Sequence, residues 1–227
     1  MTPPAALASS DEIRDYLVDR LNLALRRPGM MGGELSLRLL LDHLLFVERR
    51  EEAWAEERRA MEEHGAWTAT GVVGAFRSLL PRDHAHEVAS VYAEFVRRAG
   101  WLEADRVLDA EAYASMRGRI AEWVRQDRGW ADVVAEFGPP SVLFGGTNPL
   151  YGKTLGYLTA RTEDPMVFFH LWNGTAPEAA SSWPPDHDEP LLLAVRCGTQ
   201  RFADTFTFTP HGQRLRPSLG QDAMRKL

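Results

Sequence analysis

The sequence predicts an α+β protein in which a helical N-terminal part packs on one face of a C-terminal antiparallel sheet of four or five strands. Helical periodicity dominates the first 134 residues, and short apolar runs bounded by turn residues dominate the rest. Proline usage shifts in parallel, from four in the first 134 residues to ten in the last 93. The gaps between apolar runs are mostly too short for crossover helices, which favours antiparallel pairing. The boundary falls at Gly138, dividing a helical part (1–137) from a sheet part (138–227) within one compact domain.

The elements follow in order. Ser9 with Glu12 three residues later forms a capping box, and Ile13, Leu17, Leu21 and Leu25 continue at helical spacing until Pro28-Gly29. A second helix is predicted to run without a break from Glu34 to His64. Its first half is nearly all apolar (Leu35, Leu37, Leu39, Leu40, Leu41, Leu44, Leu45), whereas Glu48 to Glu63 is mostly charged, with Val47, Trp54 and Met61 as a thin stripe. That charged half reads either as a solvated face held by Arg58–Glu62 and Arg59–Glu63 pairs or as a dimer seam. Further helices are expected at about 70–80, 83–99 and 109–126, the last presenting Tyr113, Met116, Ile120 and Trp123 on one face. A short helix from Trp130 ends at Gly138-Pro139-Pro140, because a residue preceding proline is pushed out of the α region.

The strands are Ser141–Phe144, Thr154–Ala160, Met166–Trp172, Pro190–Cys197 and Thr205–Thr209. The third is apolar on both faces except at His170 and belongs in the centre. The last alternates strictly, so Phe206 and Phe208 face inward and the threonines face water.

Composition excludes several function classes. With 44% apolar and 26% charged residues in 227, the chain is an ordinary globular protein rather than a disordered one. One cysteine cannot form an internal disulfide. A net charge of −6 with no basic block longer than Arg-Arg gives no footprint for nucleic acid. No apolar run approaches the ~20 residues of a membrane span, and the first ten residues lack the basic start of a signal peptide, so a cytoplasmic protein is expected.

Motifs with chemistry are mostly incomplete. Gly145 to Thr154 ends in Gly-Lys-Thr after a strand, but Thr147 stands where a phosphate-binding loop needs its first glycine. Pro149 also removes an N–H from the cradle, and a strand follows where a helix is required. The segment reads as a hairpin connection whose Asn148, Tyr151, Lys153 and Thr154 can contact a ligand. Asp83-His84-Ala85-His86-Glu87 reads as a helix start with Asp83 as N-cap, since His84 and His86 lie about 200° apart on a helix. Asp186-His187-Asp188-Glu189 suits a hard cation or an amine, or is simply a solvated loop. No metal or cofactor site is expected.

His170 is the most informative single residue, because it interrupts Val-Phe-Phe-His-Leu-Trp, where a polar group needs a partner or a polar cavity. Arg196 interrupts its own apolar strand in the same way. If the two strands are neighbours, His170 and Arg196 line one face with Trp172 and the loop of Asn148, Tyr151, Lys153 and Thr154, forming a polar pocket. The plain alternative is a satisfied core histidine and an edge arginine. The expected function is a non-catalytic cytoplasmic binding or regulatory protein, with a small-molecule or protein ligand and a homodimer formed through the helix 34–64. The rival expectation is a small hydrolase or transferase with His170 as general base and Lys153 or Arg196 as anion clamp. Lys153 stands out further, because 24 of the 26 basic residues are arginine and the other lysine is Lys226.

Overall fold

The computed structural model describes residues 7–81, 84–174 and 185–217. Helix α1 (Ser10–Arg26) starts at the expected capping box: Ser9 N donates to Glu12 Oε2 (2.8 Å) and Glu12 N donates to Ser9 Oγ (3.2 Å). It pairs with α2 (Gly33–Glu48) through the turn after Pro28.

The long helix expected from Glu34 to His64 is two helices. The chain leaves α2 at Arg49, whose φ of 57° is the only positive value at a non-glycine among the described residues, and re-enters a helix as α3 (Glu51–His64). Glu48 anchors the break by accepting from Arg14 Nε (2.8 Å), Trp101 Nε1 (2.9 Å) and Arg50 Nη1 (3.1 Å). The change of direction lays α3 over the molecule's own core. Trp54 packs on Tyr92, Phe95 and Trp67, and Met61 is buried, so this stripe is consumed inside the chain instead of forming a free seam. The charged side of α3 carries the expected Arg58–Glu62 pair.

After α4 (Val72–Phe76) comes α5 (Ala85–Arg98), the central helix. Ten of its fourteen residues are buried, because α1, α2, α4 and the first two strands all lie against it. The N-cap assigned to Asp83 lies outside the described residues. Helices α6 (Ala110–Trp123) and α7 (Trp130–Phe137) follow, and α6 is capped by Asp109, which accepts from Ala112 N.

Five strands then form an antiparallel meander in the order β1-β2-β3-β4-β5: Val142–Phe144, Lys153–Tyr157, Val167–Trp172, Leu191–Arg196 and Phe206–Phe208. Strand β3 is central, as its two apolar faces require. A closing helix, α8 (Pro210–Leu215), was not expected from the sequence. Its signal is Thr209-Pro210, an N-cap followed by proline in the first turn, with Thr209 Oγ1 accepting from Gly212 N at 3.0 Å. Gly212 is required there because a Cβ would overlap the Leu193 carbonyl.

Helices cover both faces of the sheet, not one. Helices α1–α5 bury Val142, Phe144, Phe168 and Ala194, while α6 and α7 bury Leu155, Tyr157, Val167, Phe169, Leu171, Leu192 and Val195. The alternation of β3 demands this arrangement, since Phe168 and Phe169 point to opposite faces and each needs an apolar cover. Among the described residues, no helix is long and apolar enough to cross a membrane.

Candidate functional site

Strand register decides which candidate residues meet. Thr154 lies opposite His170, and Phe168 lies opposite Arg196. Thr154, His170 and Arg196 therefore share the face covered by α5. Lys153, one residue earlier on β2, points to the other face. The single pocket expected from the seven residues is not assembled, because the sheet itself stands between Lys153 and the His170–Arg196 pair.

His170 has no exposed surface. Its ring lies between Phe76 of α4, Phe206 of β5 and its strand neighbour Phe168, at centroid distances of 5.8, 5.8 and 6.4 Å. Nδ1 shares a 3.1 Å hydrogen bond with Thr154 Oγ1, and Nε2 has no hydrogen-bond partner among the described residues. Burial pushes the imidazole well below the ordinary histidine range, and the neighbouring Arg196 and His84 push in the same direction. Burial therefore favours the neutral ring over the cation.

Arg196 ties the sheet to the central helix. Its Nη1 donates to Glu94 Oε2 (2.8 Å), its Nη2 donates to Ser90 Oγ (3.3 Å), and the guanidinium carbon lies 4.4 Å from the Phe168 ring centre. Ser90 Oγ in turn donates to Glu87 O at 2.6 Å. This is a buried, charge-assisted clamp between β4 and α5.

On the opposite face, Lys153 is also excluded from solvent. Its Nζ donates to Asn148 O (2.8 Å) and sits 3.6 Å from the centre of the Trp130 ring at the start of α7. Burial pulls the ammonium down to about 8, with Glu189 acting against that shift. Glu189 accepts from Ala131 N (2.9 Å), and Asp132 accepts from Gly129 N (2.9 Å), so the acidic loop and α7 meet beside this lysine. Asn148 Oδ1 accepts from Leu150 N, closing the turn of the β1–β2 hairpin. Tyr151 is exposed on that hairpin, and Trp172 is half-buried beside it. Among the described residues, no three His, Cys, Asp or Glu side chains converge as metal ligands.

Three features escaped the sequence reading. Arg97 buries its guanidinium against the carbonyls of Asp164 (2.7 Å), Thr159 (2.9 Å) and Arg161, beneath an open cleft of about 230 Å³ that also involves Glu94, Arg98 and Glu163. Glu34 accepts from Val72 N, Val73 N and Tyr92 Oη, capping α4 from a distant helix. The outer side of the α1–α2 hairpin carries Tyr16, Leu23, Leu35, Leu39 and Phe46, all exposed. The last feature had a signal: α2 holds more apolar residues than one ~100° stripe accommodates, and only Leu37, Leu41, Leu44 and Leu45 are buried.

Comparison with known proteins returns no match, whether to a family model, to a curated protein or to a solved structure.

Proposed function

We propose that this chain is a non-catalytic binding or regulatory protein acting in the cytoplasm. One observation carries the reading: the groups best suited to chemistry, His170, Arg196 and Lys153, face inward, out of reach of solvent. A general base has to reach the proton it abstracts, and His170 lies beneath α4, β5 and the α5 layer with no surface exposed. Arg196 is engaged by Glu94 and Ser90, and Lys153 by a carbonyl and an indole ring. The exposed large apolar side chains are concentrated on the α1–α2 hairpin, with Tyr151 exposed at the β1–β2 turn. A single cysteine and the absence of a membrane-length helix among the described residues fit the compartment.

The rival hydrolase or transferase reading has one point in its favour, the unpartnered Nε2 of His170. A panel of ester, phosphoester, amide and group-transfer substrates separates the two. The expected result is no turnover above the His170→Ala background. Turnover abolished by His170→Ala in a protein that keeps its circular dichroism spectrum overturns the binding reading.

A further inference from the structure

We infer that the outer face of the α1–α2 hairpin is a self-association surface whose occupant is a second copy of this chain. The inference rests on the binding reading above and names its partner. Of the ten large apolar side chains exposed among the described residues, eight fall between Leu7 and Phe46. Helices α1 and α2 pack on each other and both pack on α5, so each turns an outer side away from the core. Six residues define the face: Tyr16 and Leu23 on α1, Met30 at the turn, and Leu35, Leu39 and Phe46 on α2. Met30 is 84% exposed, Leu35 67%, and Tyr16 and Phe46 59% each.

Area argues for a partner and for its size. At roughly 70–160 Å² apiece, these six side chains together expose about 700 Å², on the scale of the ~300–600 Å² of the largest apolar patch on a typical monomer. A standard interface takes about 800 Å² from each partner, so the face matches half of a dimer. Residue types agree, because Tyr, Phe, Met and Arg are enriched at interfaces and lysine is depleted.

Charge argues for a second copy over a uniformly charged partner. The face carries both signs: Arg20 lies over the Tyr16 ring (5.6 Å) and Arg49 over the Phe46 ring (5.0 Å), while Asp19 and Asp42 are exposed beside them. In a two-fold contact every residue of the patch meets the same patch, so acids and bases on one face can answer each other twice. On α2 the positions Leu35, Leu39, Asp42 and Phe46 follow a four-three-four spacing, the heptad repeat of a helix seam with one polar position.

Sedimentation velocity on the full chain across micromolar concentrations tests this. The wild type is expected to sediment as a dimer, and Leu39→Glu and Phe46→Glu are each expected to raise the dissociation constant by roughly thirty-fold. Both side chains are exposed, so melting of the dissociated chain stays close to that of the wild type. Val107→Glu, at an exposed apolar position outside the hairpin, leaves the dimer intact. A wild type that stays monomeric throughout overturns the second copy as occupant, and a dimer that survives both hairpin substitutions overturns this face. Failure of the binding reading would show separately, as His170-dependent turnover.

Discussion

The two faces of the sheet are built differently. The face under α5 buries polar groups among its aromatics: His170 sits among Phe76, Phe168 and Phe206, and Arg196, at the end of β4, lies over Phe168 and is met by Glu94 and Ser90 of the helix above. The face under α6 and α7 is an apolar layer with its one cation, Lys153, at the start of β2 against a loop carbonyl and Trp130. His170, in mid-strand, takes its partner from the neighbouring strand, Arg196 at the end of β4 takes its partners from the covering helix, and Lys153 at the start of β2 takes its from a loop. The first design fixes which helix lies on the sheet and in what position. The second relies on apolar contact, with Tyr157 Oη donating to Gly138 O just after α7 (2.8 Å).

Truncating one aromatic on each face gives the largest expected effect. Phe168→Ala and Phe169→Ala should each destabilise by about 3–5 kcal/mol. Phe168→Ala should be the worse of the two, since it also removes the ring on which Arg196 rests. Urea denaturation of both variants measures the difference, and equal losses would mean that the buried charge contributes nothing through that ring. Next comes Arg196→Ala, expected to cost about 3 kcal/mol, near the low end for breaking a buried pair because Glu94 is partly open to water. A loss below about 1 kcal/mol would show that the clamp is dispensable.

Effects of pH come last, and they fall in different windows on the two faces. The His170 imidazole is held well below its usual 6.5, so stability is complete above that value and falls as the pH drops beneath it. His170→Phe should flatten this acid limb. Lys153 is pulled down from 10.5 to about 8. Between pH 8 and 10.5 the unfolded chain holds the proton that the folded lysine has released, so stability rises with pH across that window. Lys153→Met should remove the rise. Unfolding free energies of wild type and variants across both windows measure the two slopes.

Local signals were legible in the sequence and long-range ones were not. The Ser9–Glu12 capping box, the stop at Gly138-Pro139-Pro140 and the central place of β3 depend on neighbouring residues or on the pattern of one strand, and all three are present. The break at Arg49 has no glycine or proline to announce it, and Glu48 is held there by Arg14 and Trp101 from distant parts of the chain. The split of Lys153 from His170 depends on register: opposing Thr154 to His170 places Lys153 on the far side, and a slip of one residue would reverse it. The sequence marks His170 as a residue in need of a partner, and that partner, Thr154, is set by the same register.

The burial of α5 also bears on how the chain is made. Synthesis delivers α5 some 45 residues before β1 and about a hundred before Arg196, which closes on Glu94 across 102 positions. Until the strands arrive, the sheet-facing side of α5 has no cover, and a nascent chain ending near Phe137 displays that side to its surroundings. Contacts of such long range form late and slowly, and exposed apolar helix sides invite aggregation in the interval. The C-terminal strands are therefore the step on which productive folding waits, and the helices made first are the part at risk.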